Sequence, residues 1–246
     1  MTEIEKFNNE KQCNIQKQED LKYLGINFLN NIAQTKYSYN FTWLGRPIIQ
    51  FPQDTIALQE IIWEIKPDLI IETGIAHGGS LIFSASMLAL LEVCGEINNG
   101  KVIGIDIDIR THNRKEIESH PLSKKIEMIE GSSIDKKIIK QVIELSKNAK
   151  KILVCLDSNH THEHVLSELK AYAPLVTIGS YCCVFDTAIE NMPEGSFPDR
   201  PWDIGNNPKT AVLEFLKNND SFEIDKTIEN KLLITVAPDG YLKRVR

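Results

Sequence analysis

No stretch of this 246-residue chain is apolar over the length of a membrane span. An excess of positive charge is missing as well. Lys and Arg number 28 against 34 Asp and Glu, and the resulting net charge of −6 argues against a nucleic-acid backbone as the main partner. Residues 1–20 are polar and charged with no apolar h-region, so they do not read as a secretory signal. The cysteines (Cys13, Cys94, Cys155, Cys182 and Cys183) lack both an even count and any C-x-x-C spacing, and three of them fall in apolar runs. That pattern fits buried thiols in a reducing, cytoplasmic setting. Strand alternation sends the adjacent Cys182 and Cys183 to opposite faces, as core packing. Internal repeats and long linkers are absent too, leaving one large domain or a domain with a small appendage.

What is present is an alternating pattern. Apolar strand-like runs at Leu69–Glu72, Val102–Ile107, Ile126–Ile129, Ile152–Leu156 and Leu175–Val184 are interleaved with helical periodicity at Leu81–Leu91, Lys136–Ser146 and His164–Tyr172. Such alternation builds a parallel sheet with helices on both faces. Residues 1–66 read as a helical N-terminal segment, in which Asp54 caps a helix that ends before Pro67. Residues 67–246 form the main domain. After a helix at Thr210–Lys217, β-rich runs at Phe222–Ile228 and Lys231–Ala237 and a last strand at Tyr241–Val245 lie too close together for crossover helices. They must pair antiparallel, giving a mostly parallel sheet finished by an antiparallel C-terminal strand. Between the last central strand and that helix, residues 187–208 carry Pro193, Pro198, Pro201 and Pro208 with Gly195 and Gly205. A long irregular segment in this place reads as a lid or acceptor-binding loop.

The chemistry starts at Glu72-Thr73-Gly74-Ile75-Ala76-His77-Gly78-Gly79-Ser80. A buried strand runs into a glycine turn and a helix N-terminus, where backbone can approach a nucleotide-like ligand and free N–H groups face it. The spacing Gly74-x-x-x-Gly78-Gly79 is not the G-x-G-x-x-G of dinucleotide sites. Glu72, two residues before Gly74, suits a positively charged ligand end, and S-adenosylmethionine carries an ammonium and a sulfonium. Asp106 ends the next strand, placed to accept hydrogen bonds from ribose hydroxyls, and Asp108 either shares that task or faces solvent. Ser132 and Ser133 follow the third strand, where an adenine edge would lie. His77 either touches ligand or is merely exposed.

Two further strands end in Asp157 and Asp186. Carboxylates on neighbouring strand tips suit a hard cation such as Mg²⁺. His160 lies just beyond Asp157, as a general base for an acceptor hydroxyl. A zinc site among His160, His162 and His164 lacks cysteine partners at ligand spacing.

Trp43-Leu44-Gly45, Pro52-Gln53-Asp54, Pro67–Ser80, Gly104–Asp108, Asp157–His160, Phe185-Asp186-Thr187 and Gly205-Asn206-Asn207-Pro208 together resemble the cephalosporin hydroxylase family. Its relatives include macrolide and rhamnosyl O-methyltransferases. The resemblance implies a Rossmann-like S-adenosylmethionine-dependent methyltransferase fold and methyl transfer rather than hydroxylation. It also implies Mg²⁺ held by Asp157 and Asp186 with His160 as base. In metal-binding relatives a third ligand, Glu, immediately precedes the second Asp, where this chain has Phe185. Either water or another donor such as Glu190 completes the shell, or this branch works without a tightly held metal.

The expected acceptor is a hydroxyl of a sugar, a nucleotide-sugar or a capsule- or lipopolysaccharide-type precursor. Arg46, Arg200, Trp202, Asn206 and Asn207 are either acceptor-lining or structural. A homo-oligomer is expected, with the N-terminal helix as an interface. Transfer to a phosphate-linked capsule modification, an NAD-binding protein and a non-catalytic binder of S-adenosylmethionine are the competing readings.

Overall fold

The computed structural model describes residues 2–32 and 35–246, the side chains of residues 12, 16 and 19 excepted. The expected helicity of residues 1–20 falls largely on α1 (Glu3–Lys17), with Met1 outside the described residues. α2 (Lys22–Ile32) follows. A hairpin then forms from β1 (Phe41–Trp43) and β2 (Arg46–Ile48), which the reading of residues 1–66 as helical does not contain. Leu44 and Gly45 turn it, both at positive φ.

α3 (Pro52–Ile65) begins on Pro52, whose missing N–H costs nothing at a helix start. Asp54 is not its cap. It points inward, fully buried, and accepts from Tyr241 Oη at 2.7 Å, from the Val236 amide at 3.0 Å and from the Thr235 hydroxyl. Burial raises its pKa to about 6. Leu58, Ile61, Ile62 and Ile65 line the inner face of α3. Each contributes about 1.5–3 kcal/mol by leaving water.

The βα units that follow are β3 (Leu69–Thr73), α4 (Gly79–Val93), β4 (Lys101–Asp106), α5 (Thr111–Ser119), β5 (Ile126–Glu130), α6 (Lys136–Ser146), β6 (Ile152–Leu156), α7 (His162–Tyr172) and β7 (Tyr181–Val184). α5 escapes the periodicity argument because Ile117 is its one strongly apolar buried residue. The run Leu175–Val184 is strand only over its last four residues. Pro174 sits in a 3-10 turn and Gly179, at φ 83°, breaks the chain before Tyr181.

The C-terminal part holds α8 (Pro208–Lys217), β8 (Phe222–Ile224), α9 (Lys226–Leu232) and β9 (Tyr241–Arg244). The expected strand over Lys231–Ala237 is instead the end of α9 and a loop. Asp225 caps α9 by accepting from the Thr227 amide, which diverts the chain from the sheet.

Among the described residues the main sheet has seven strands in the order β5-β4-β3-β6-β7-β9-β8. β3 to β7 pair in parallel, and β9 is inserted antiparallel between β7 and β8. One face packs on α3, α4 and α9, the other on α6, α7 and α8. Cys183 faces the first core and Cys182 the second, as strand alternation requires, and all five thiols are free. No helix of the described residues is long and apolar enough to cross a membrane.

Candidate functional site

The register of the sheet carries Thr73, Asp106, Glu130, Leu156 and Val184 to one edge, the carboxyl ends of the parallel strands. The glycine turn after β3 is pulled against the neighbouring strand ends. The Gly74 amide donates to Ile105 O at 2.8 Å, and Asp106 Oδ2 accepts from the amides of Ile75 (2.7 Å) and Ala76 (3.2 Å). Asp106 Oδ1 accepts from the Asp108 amide at 3.0 Å. Asp106 therefore organises the turn as well as facing the crevice, while the Asp108 side chain is largely exposed.

The glycines make room for protein as much as for ligand. A Cβ on Gly74 would lie 2.0 Å from Asp157 O, one on Gly79 2.2 Å from Pro47 O, and one on Gly78 would meet Ile117. Thr73 is fully buried, and the His77 carbonyl is taken by Arg46.

Glu72 is 4% exposed, and its carboxylate faces the hydroxyls of Ser80 and Ser84 on α4. Burial raises its pKa to about 7, outweighing those two hydroxyls. No Lys or Arg among the described residues pairs with it, and a buried carboxyl in that state gains from a nearby positive charge.

Across the crevice, Asp157 continues β6 and Asp186 follows β7. Asp157, His160 and Asp186 each present one ligand atom, and these atoms lie within 4.8 Å of one another. His160 Nε2 is 3.1 Å from Asp186 Oδ2, and Nδ1 is buried with no partner among the described residues. Burial, and then the Asp186 charge, push the Asp157 carboxyl well above the usual carboxylate range. Asp186 stands at φ 56°, a left-handed backbone that aspartate tolerates better than most residues. Phe185 is 2% exposed in the apolar core below, with its side chain turned away from any ligand role. Glu190 is engaged elsewhere, accepting from the Gly205 amide at 2.8 Å and from Asn207 Nδ2.

The candidate acceptor residues divide. Asn207 is buried and caps α8 in a reciprocal capping box with Thr210. Asn206 bonds Pro201 O and the His162 amide. Arg46, on β2, donates to His77 O of the glycine turn. Trp202 packs its ring edge-on to His160 at 4.7 Å, and the Arg200 guanidinium lies 5.3 Å above Trp202.

The three histidines of the loop and helix start diverge. His162 meets Thr210 and Glu214, and His164 meets Ser133 at 3.0 Å and Ser158 at 3.2 Å. The Ser158 hydroxyl donates to fully buried Glu168 at 2.7 Å, and Tyr172 Oη donates to Ser133 O at 2.5 Å. This network ties the loop after β5, with Ser132 and Ser133, to the tip of β6. Its trace in the sequence is one acid, Glu168, among Val165, Leu169 and Tyr172 on the inward face of α7.

A parallel sheet with one reversed strand beside its edge, a glycine turn on its central strand and an acid on the neighbouring tip is the scaffold of S-adenosylmethionine-dependent methyltransferases. Solved structures share the fold. A CmcI structure with Mg and SAM superposes with a TM-score of 0.58 at 20% identity, over 85% of this chain and 78% of that one. An O-methyltransferase from Bacillus cereus in complex with SAH gives 0.52 at 12% identity, over 86% and 81%. A rhamnosyl O-methyltransferase of Mycobacterium leprae (strain TN) is 30% identical over 205 residues, 82% of each chain. The chain belongs to the rhamnosyl O-methyltransferase/CmcI family, whose model matches residues 35–245. It is an O-methyltransferase.

Proposed function

We propose that the protein methylates a hydroxyl of a sugar, free or carried on a nucleotide or surface-polysaccharide precursor, in the cytoplasm. The observation that carries the site assignment is the convergence of Asp157, His160 and Asp186 within 4.8 Å, beside the cofactor turn. The turn of Gly74 and Gly78 would hold S-adenosylmethionine, with Glu72 and Ser80 to receive its ammonium, Asp106 its ribose and Ser132 its adenine edge.

Two carboxylates and an imidazole fit a divalent cation, because crowded, partly buried acids repel one another without one. Asp157 and Asp186 would hold Mg²⁺, which when bound lowers the pKa of a nearby acceptor hydroxyl. His160 Nε2 faces Asp186 Oδ2 at 3.1 Å, which leaves Nδ1 as the ring atom for an incoming proton. His160 Nδ1 would take the proton of the acceptor hydroxyl, and S-adenosylmethionine, when bound, would supply the methyl group to that oxygen and leave as S-adenosylhomocysteine. The segment 187–208 acts as the lid, with Trp202 moving off His160 to admit the acceptor. The curated relative named as a rhamnosyl O-methyltransferase supports a sugar acceptor. Ile4, Phe7, Tyr23 and Leu24, exposed on α1 and α2, support a homo-oligomer through these helices, which light scattering tests.

The deciding experiment is calorimetric titration of S-adenosylhomocysteine with and without Mg²⁺, followed by transfer of labelled methyl to a panel of rhamnosyl and nucleotide-sugar acceptors. Saturable binding and labelled sugar are expected. Label appearing on no sugar acceptor removes that substrate class.

A further inference from the structure

The hairpin β1–β2 lies outside the βα units, yet its arginine reaches the cofactor turn. Arg46 donates to His77 O from Nε at 3.1 Å and from Nη2 at 2.6 Å, and Nη2 also donates to Asn113 Oδ1 at 3.2 Å. Asn113, 3% exposed on α5, donates from Nδ2 to Ala76 O at 2.9 Å. Two successive carbonyls of the turn are thus gripped by side chains from two separate elements. The amides of Ile75 and Ala76 point the other way, onto Asp106. Ala76 stands at φ 45°, and its exposed side chain does nothing to hold that left-handed conformation.

We infer that Arg46 and Asn113 are positioning residues for the cofactor. They fix the peptide planes of residues 75–77 before S-adenosylmethionine arrives, so binding does not bear the entropy of ordering the turn. Arg46 supplies a planar fork that lysine lacks. Asn113 must be an amide, since it donates to one carbonyl while accepting from Arg46. The inference rests on the turn being the cofactor site, and the wild-type titration below checks that separately.

The test is calorimetric titration of S-adenosylhomocysteine into wild type, Arg46→Met, Arg46→Lys and Asn113→Asp, with hydrogen exchange of the 74–80 peptide in the cofactor-free proteins. Arg46→Met and Asn113→Asp are expected to weaken binding at least tenfold and to raise exchange at residues 75–78 while β3 stays protected. Arg46→Lys recovers part of the affinity. Near-isosteric Asn113→Asp gives the answer if Arg46→Met does not fold. The inference is overturned if both variants bind within twofold of wild type, or if exchange rises across the whole sheet with no rescue by lysine. Free exchange at residues 75–78 of cofactor-free wild type overturns it too. Failure of wild type to bind refutes the cofactor site, and exchange then still judges the clamp.

Discussion

The two sides of the crevice are built on opposite principles. On the β3–β4 side, the turn amides and carbonyls find protein partners in Asp106, Arg46 and Asn113, and Gly74 and Gly79 are packed against backbone. On the β6–β7 side, two carboxylates and a histidine crowd one another, His160 Nδ1 lacks a partner, and Asp186 sits in a left-handed conformation. A side whose polar groups are satisfied is rigid before ligand arrives and suits a donor common to every turnover. A side left self-repelling is completed by what binds there. Glu72, buried on the satisfied side, is the exception, and in the proposed function it is the group that would meet the donor's positive end.

The sharpest way to break this contrast is His160→Ala. Loss of a general base costs on the order of 10²–10⁴ in turnover, while S-adenosylhomocysteine affinity is expected to stay within about threefold, because the donor side is untouched. Turnover equal to wild type excludes His160 as the base.

Glu72→Gln sharpens the exception. The folded-state pKa of Glu72 is raised from 4.5 to about 7, so the folded protein binds the proton more tightly than the unfolded chain. Its contribution to stability is complete below the unfolded value and is lost as pH rises through about 7. The glutamine variant is expected to be more stable than wild type at pH 8, by up to about 3 kcal/mol, and no different at pH 4. The same change removes a charge-assisted contact and weakens S-adenosylhomocysteine about tenfold. Denaturant titrations at the two pH values and calorimetry check both halves.

Asp157→Asn relieves the repulsion on the unsatisfied side. The ligand-free variant is expected to melt higher than wild type and to lose any rise in melting temperature on adding Mg²⁺. A metal-dependent shift of wild-type size would assign the cation to other ligands.

The smallest effect is expected at Asn207→Ala. Loss of the capping box costs about 0.5–2 kcal/mol, and loss of the link to Glu190 loosens the segment before α8, with donor affinity unchanged. Reduced donor affinity in that variant would show that the segment before α8 reaches the β3–β4 side.

Much of this was open to reading in the chain itself. Apolar runs broken by polar turns specify buried parallel strands, because a strand covered on both faces has no polar side to show, and β3, β4, β5 and β6 lie where those runs predict. Strand ends follow from the runs, so the acids at Glu72, Asp106, Asp157 and Asp186 could be set along one edge before any contact was known. α5 was hidden because its one strong apolar contact leaves no period, and the β1–β2 hairpin because two three-residue strands are too short to alternate. Tertiary structure alone decided partnership. It turned Asp54 from a helix cap into an acceptor for Thr235 and Tyr241, took Asn206, Asn207 and Glu190 into the internal bonds of the segment before α8, and brought Arg46 and Asn113 from elements 67 residues apart onto one turn. Local sequence fixes where a backbone can be extended or helical, whereas a polar side chain's role depends on which distant group the folded chain carries within 3 Å of it.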